Sequence, residues 1–101
     1  MRTLRVDAAA RAELLHESQY LEQARPGYGK KFVAEVNSIF AQIKRNPDAG
    51  KADEEGCRRL RVTGFSFSVV FRQERREVVV YAIRPDQKRP GYWYGRTGSG
   101  L

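Results

Sequence analysis

The sequence predicts an α+β domain of order β-α-α-β-β-β, in which a helical hairpin packs on a mainly antiparallel four-stranded sheet. Three observations support this class. Apolar residues recur about every 3.6 residues before residue 47 and every second residue after Cys57. Proline and glycine at 26–29 separate the two helical stretches. The 101 residues suit a single domain, placed at 1–97, followed by a flexible tail at 98–101.

The first strand and helix carry a weak hydrophobic pattern. Residues 1–6 alternate polar and apolar side chains, which is typical of a strand. Asp7 is a suitable N-cap for a helix predicted over 8–23. We expect this helix to be covered on one side only, because its apolar stripe is thin. That stripe consists of Ala10, Leu14 and Leu21.

The second helix is the clearest element of the sequence. Apolar residues follow one another at helical spacing, at Phe32, Val36, Ile39 and Ile43. Asn46 ends the helix, because a residue that precedes proline avoids helical backbone angles. The short connection between the helices predicts an antiparallel hairpin. Residues 47–56 have no hydrophobic period, and we expect a loop there.

The second half of the chain predicts three strands. After Cys57, Leu60 and Val62 alternate with Arg59 and Arg61, and Thr63 and Gly64 predict a tight turn into the next strand. The strand over 65–71 places alternate apolar residues on one face. After a turn at 73–75, the segment 78–83 is apolar on both faces, which is typical of a central strand.

The positive charge is concentrated in the second half of the chain. The formal net charge is +7, and residues 1–55 contain equal numbers of basic and acidic side chains. Residues 56–101 contain ten basic and three acidic side chains, and nine of the ten are arginine. Such a field attracts nucleic acid or an acidic protein, although charge also serves solubility.

Several classes of protein are excluded by composition. One cysteine and one histidine provide neither an internal disulfide nor a closed zinc site. No apolar run approaches the roughly 18 residues of a membrane span, and no signal-peptide core is found. The glycines near residue 28 follow no strand, so they form no phosphate-binding loop. We therefore expect a cytoplasmic protein without membrane contact, metal or cofactor.

The order of the elements and three sequence features resemble the RelE/ParE toxin superfamily, which includes the plasmid stabilisation toxins. These features are an arginine-rich first hairpin strand, the Phe-Ser-Phe-Ser-Val-Val-Phe strand at 65–71 and the closing Arg-Pro-Gly-Tyr-Trp-x-x-Arg at 89–96. The resemblance covers residues 2–96. It implies the toxin of a type II toxin–antitoxin module, held inactive in a hetero-oligomer by an acidic, ParD-like antitoxin.

The resemblance leaves two activities open. ParE-like members inhibit DNA gyrase by binding, whereas RelE-like members cleave messenger RNA on the ribosome. Metal-independent RNA cleavage requires an acid–base pair, and the only histidine, His16, falls on the polar side of the first helix. Many relatives carry a histidine soon after the Ala-Ile of the last strand. In this chain no histidine follows Ala82 and Ile83. We therefore favour the ParE-like function. A small basic nucleic-acid-binding module is a third hypothesis.

Candidate site residues follow from these hypotheses. An mRNA interferase would use Arg59, Arg61, Arg84, Lys88 and Tyr92. The gyrase inhibitor would contact its target through Arg84, Lys88, Arg89, Tyr92, Trp93 and Arg96. The antitoxin would contact Arg58, Arg59, Arg61, Leu14 and Leu21.

We expect Arg58, Arg59, Arg61 and Arg84 to share one region of the sheet.

Three of the candidates, Tyr92, Trp93 and Arg96, have a local structural alternative. Tyr92 and Trp93 follow a Pro-Gly turn, so they either cover the sheet or stack on a partner. Arg96 either pairs with a local acidic side chain or contacts a partner.

Overall fold

Two helices cover one face of a five-stranded sheet in this computed structural model, which describes residues 3–53, 55–87 and 91–97. The elements in chain order are β1 (Thr3–Val6), α1 (Ala8–Ala24), α2 (Tyr28–Arg45), β2 (Lys51–Ala52), β3 (Arg58–Arg61), β4 (Phe67–Gln73), β5 (Glu77–Pro85) and a 3₁₀-helix (Tyr94–Thr97). The α+β class and the helical hairpin are thus confirmed. The predicted tail at 98–101 lies outside the described residues.

The strands lie in the order β1-β5-β4-β3-β2. β1 is parallel to β5, and every other neighbouring pair is antiparallel. β5 lies between β1 and β4 with its residues 78–84 buried, as its continuous apolar run predicts. The sheet has one strand more than predicted, because Lys51–Ala52 pairs with β3 inside the expected loop. A strand of two exposed residues has no alternation of apolar and polar side chains, so periodicity does not predict it.

The sheet separates two hydrophobic clusters. The larger lies between the sheet and the helices and contains the predicted stripe of α2, with Phe32, Val36 and Ile43 fully buried. The smaller lies on the opposite face and contains Cys57, Val70, Val79, Tyr81, Ala82 and Trp93. The aromatic C-terminal segment therefore covers part of the face that the helices leave open.

A β-bulge in β5 controls which face its last residues occupy. Val70 pairs with Ala82 and the next residue, Phe71, pairs with Val80, so Tyr81 is an extra residue. Tyr81 and Ala82 consequently belong to the same cluster, and Ile83 returns to the helix side. Strict alternation from Val80 would have turned Arg84 toward the helices. The bulge instead delivers it to the opposite face.

Gly29 permits the close approach of the two helices. A Cβ atom at this position would lie 2.2 Å from the Ser18 carbonyl oxygen. Glu22 strengthens the same junction, because its carboxylate accepts the backbone N–H groups of Gly27 at 2.6 Å and Gly29 at 3.0 Å. The start of α2 is therefore capped by a side chain of α1.

Replacing Gly29 with alanine should lower the free energy of unfolding by about 1–3 kcal/mol, because α2 must move away from α1 to admit a methyl group. Urea unfolding followed by circular dichroism measures this loss. Gly95→Ala is the matched control, since nothing lies within 4 Å of its added Cβ. Equal stability of the two variants would show that the helices do not approach this closely.

Acidification should remove the stabilisation that Glu22 provides. The N–H groups at the start of α2, chiefly that of Gly27, hold the pKa of the Glu22 carboxyl below its ordinary value of 4.5. A pKa lowered by folding stabilises the fold above the unfolded-state value, and this contribution disappears as the pH falls through the folded-state value. Wild type should therefore exceed Glu22→Gln in urea-measured stability near neutral pH and converge with it in acid. A difference independent of pH would contradict this role.

Candidate functional site

Three arginines gather on the sheet face opposite the helices. Arg59 and Arg61 project from β3, and Arg84 projects from β5. Ser68 lies between the last two, because it pairs with Arg61 on one side and with Arg84 on the other. An open cavity of about 620 Å³ is lined by these four residues and Asp86. We call these five residues the basic face.

The members of the basic face differ in burial. Arg84 is only 8 % exposed, and its guanidinium carbon lies 5.9 Å from the centre of the Trp93 ring. The Arg61 side chain is 70 % exposed and pairs with Asp86 at 3.2 Å. An ion pair as exposed as this contributes about 0–1 kcal/mol, so a ligand can displace it at low cost. Arg84 is thus a fixed element of the site, and Arg61 is an adjustable one.

An apolar hollow of about 320 Å³ adjoins the basic face and shares Arg59 with it. Its floor includes Cys57, Val70 and Trp93, and the exposed side chains of Lys51 and Asp53 lie at its rim. Burial raises the pKa of the Cys57 thiol, which therefore stays protonated and is a poor nucleophile. The hollow offers shape and apolar contact, with cations beside it.

A second polar cluster, the Glu13 clasp (Glu13, Tyr92 and Arg96), attaches the C-terminal segment to the sheet. The Glu13 carboxylate accepts hydrogen bonds from the Tyr92 hydroxyl at 2.9 Å and from the Arg96 guanidinium at 2.9 Å. It also accepts the Ile83 backbone N–H at 3.1 Å, and Arg96 donates to the Tyr81 carbonyl at 2.8 Å. The clasp thus provides hydrogen-bond partners for backbone groups of β5 beyond the end of β1, where no neighbouring strand pairs with them.

Truncation of Glu13 to alanine should destabilise the fold by about 1–3 kcal/mol, because the Ile83 N–H and Arg96 lose their acceptor in a partly buried site. Urea unfolding measures the change. Glu17→Ala, one turn later on the same helix, should cost less than about 0.5 kcal/mol. If both variants lose equal stability, the clasp adds nothing beyond helix propensity.

The structure separates some of the predicted site residues. Arg58 borders the apolar hollow next to Arg59 but does not line the basic face with Arg59, Arg61 and Arg84. The reason is that successive side chains of a strand point to opposite faces. On the helix side, its guanidinium donates to the carbonyls of Asp48 and Gly50, both at 2.9 Å, and so holds the loop before β2.

The remaining candidates are placed as follows. Leu14 and Leu21 are partly buried against the larger core. Trp93 is 3 % exposed, and Tyr92 and Arg96 belong to the Glu13 clasp, so the local alternatives describe the geometry of all three. Lys88 and Arg89 lie outside the described residues. Their contact with a target stays a prediction.

Sequence reasoning missed Glu13, Ser68 and Asp86. Ser68 left a signal, since it interrupts an apolar strand at a position that must face away from the helices. Asp86 follows β5 and left no signal beyond its negative charge in a basic segment. The clasp role of Glu13 depends on Ile83 and Arg96, some 70 and 83 residues away, and no local pattern indicates it.

Acid–base groups are poorly placed for chemistry at the basic face. His16, the only histidine, is exposed on α1. Burial and the neighbouring Glu13 carboxylate raise the pKa of Tyr92 well above its usual range, so its hydroxyl does not act as a base near neutral pH. Within 3–53, 55–87 and 91–97, no three acidic, histidine or cysteine side chains cluster as metal ligands. Neither described helix is long and apolar enough to cross a bilayer.

Comparison with known proteins identifies the family. Residues 4–90 match the family model described as the ParE toxin of the type II toxin-antitoxin system parDE. A solved structure, described as the chromosomal ParDE TA system from P. aeruginosa, is similar with a TM-score of 0.64 and 25 % sequence identity, covering 84 % of this chain and 96 % of that chain. No significant match is found among curated proteins. The chain therefore belongs to the ParE toxin family of type II toxin–antitoxin systems.

Proposed function

We propose that this toxin inhibits DNA gyrase by binding and that an acidic, ParD-like antitoxin neutralises it in a cytoplasmic hetero-oligomer. The observation that carries the proposal is the gathering of Arg59, Arg61 and Arg84 on one sheet face beside an apolar hollow. Concentrated positive charge next to a concave apolar surface suits a macromolecular partner, because charge steers the encounter and apolar anchors supply affinity.

Binding explains this face better than catalysis does. Arginines stabilise charge on a phosphate, but strand cleavage also requires groups that take up and release protons. Tyr92 donates to Glu13, and His16 lies on the first helix. Of the residues predicted for an mRNA interferase, the described chain brings together only the three arginines. Lys88 would have to provide the proton transfer, so RNA cleavage is the alternative that an experiment must exclude.

The antitoxin is proposed to cover two surfaces. One is the helical hairpin, where Leu15 and Tyr20 of α1 are 59 % and 64 % exposed. A shallow groove between α1 and α2 adjoins Leu15, which precedes its lining residues Ser18 and Glu22 by about one and two turns, and it includes Val33. An amphipathic helix that folds on binding would bury Leu15 and Val33 in this groove, and Tyr20 lies on another side of α1.

The other surface is the basic face, through Arg59 and Arg61. Arg84, assigned to the target, lies on the same face, so an antitoxin bound there excludes the target. Neutralisation then requires only that the antitoxin occupy the face more tightly than gyrase does.

The test compares two reactions, each with and without the purified toxin: supercoiling of plasmid DNA by gyrase, and cleavage of a translated message. Loss of supercoiling with intact message, reversed by the co-expressed antitoxin, supports the proposal. Message cleavage with normal supercoiling overturns it in favour of an interferase. Binding to nucleic acid without either effect, and without a co-purifying acidic partner, favours a simple nucleic-acid-binding module.

A further inference from the structure

The basic face concentrates more hydrogen-bond donors than a single carboxylate can accept. Arg59, Arg61 and Arg84 line one cavity together with Ser68, and Asp86 is the one acidic side chain among the described lining residues. Each guanidinium presents several donors in a planar fork, whereas a carboxylate has two oxygens. A phosphate group offers more acceptor oxygens around a tetrahedral centre and can meet donors from several directions.

The site is built into the fold. The bulge at Tyr81 and Ala82 turns Arg84 to this face, and the Trp93 ring covers its guanidinium from one side. Bulges commonly re-aim a side chain beside a functional site. The deepest cation of the cavity is thus held in place before a ligand arrives.

The positive charge continues along β3. Arg59 and Arg61 are two residues apart on one strand, so their Cα atoms are separated by about 7 Å. This distance is comparable to that between neighbouring phosphates of one nucleic-acid strand. Arg59 also borders the apolar hollow, whose rim carries Lys51.

We propose that the basic face is a phosphate-binding site that takes neighbouring phosphate groups of a DNA backbone. The inference rests on the proposed function in taking this face as the one that meets the gyrase–DNA target. It adds that the toxin contacts the DNA itself, through Arg84 at the floor of the cavity and through Arg59 and Arg61 at its rim.

Trp93 provides the readout, because it is the only tryptophan and its ring lies 5.9 Å from the Arg84 guanidinium carbon. Its fluorescence is followed while the purified toxin is titrated with a short DNA duplex, with inorganic phosphate, or with polyglutamate. The double variant Arg59→Gln/Arg61→Gln removes two cations at exposed positions. Arg75→Gln/Arg76→Gln removes two exposed cations from the β4–β5 turn and is the matched control.

DNA should change the fluorescence, and its affinity should fall about 10- to 40-fold between 50 and 200 mM salt, as expected for two or three phosphate contacts. The Arg59/Arg61 variant should bind DNA at least about 10-fold more weakly and show a salt slope shallower by about two. The control pair should retain most of the affinity and the slope. Competition by millimolar inorganic phosphate supports the site. If phosphate binds while DNA does not, the ligand is a free phosphate and the DNA assignment is wrong.

Binding of polyglutamate with no response to phosphate or DNA would overturn the phosphate site, as would equal DNA binding by the two double variants. Because binding is measured without gyrase, this inference and the proposed function fail separately. A toxin that inhibits supercoiling but binds neither phosphate nor DNA retains its function and loses this site. A toxin that binds DNA through these arginines and leaves supercoiling intact retains the site and loses the function.

Discussion

Replacing Phe32 with alanine should lower the free energy of unfolding by about 3–5 kcal/mol, which is the upper range for truncation of a buried side chain. Phe32 is fully buried between α2 and the sheet. Its ring packs against Phe65 at 5.1 Å and Phe67 at 4.9 Å between centroids. The substitution removes both aromatic contacts and leaves a cavity bounded by a helix and a sheet, which cannot both collapse into it.

A loss of this size is a large fraction of the roughly 5–15 kcal/mol that stabilises a typical domain, so the variant should be partly unfolded at 37 °C. Urea unfolding, followed by circular dichroism, measures it. Phe40→Ala is the matched control, because this residue of the same helix is only partly buried at the margin of the core. A cost for Phe32→Ala no greater than that for Phe40→Ala would show that the ring does not anchor α2.

The parts of the fold that follow from local periodicity were predictable. The stripe of α2 repeats at helical spacing and is buried as expected, with Phe32 and Ile43 at 0 % exposure. The uninterrupted apolar run of β5 correctly indicated a strand covered on both faces. In each case one short segment carries the whole signal, because burial acts on side chains that lie close together in the sequence.

Features that depend on register were not predictable. The outward position of Arg84 depends on one extra residue in β5, and the bulge leaves no motif in the sequence. The separation of Arg58 from Arg59 is different, because neighbouring residues of a predicted strand face opposite sides, and the expectation that they share a region was wrong on that ground alone. Glu13 meets Arg96 across most of the chain. The charge excess therefore predicted a cationic surface, but only the paired strands decide which arginines form it.

The start of β4 shows a smaller error in the prediction. The predicted strand over 65–71 begins at Phe67 in the structure, and Phe65 belongs to the preceding turn. Phe65 is nevertheless buried, with its ring 4.8 Å from that of Tyr28. An apolar turn residue that folds back onto the core mimics the alternation of a strand, so period alone extended the strand too far.

Charge reversal at the basic face, Arg59→Glu/Arg61→Glu, should weaken inhibition of the target by at least about 100-fold while leaving the fold intact. Both side chains are exposed, so their substitution removes no core contact. In the complex, two carboxylates would then face the anionic surface of the target where the wild-type toxin presents two guanidinium groups. Juxtaposed like charges cost several kcal/mol, which is more than enough for this loss.

The toxin concentration that halves gyrase supercoiling measures the effect, and a urea unfolding curve verifies the fold. Arg75→Glu/Arg76→Glu changes the net charge equally at the β4–β5 turn, so it controls for long-range attraction.

The kinetics of antitoxin binding distinguish the two surfaces proposed for the antitoxin. The reversed basic face should slow association and remove much of its salt dependence, whereas Leu15→Ser beside the groove between α1 and α2 should speed dissociation and leave inhibition unchanged. Equal inhibition by the two charge-reversed variants would place the target-binding surface elsewhere, because only general electrostatic attraction would then remain for the basic face.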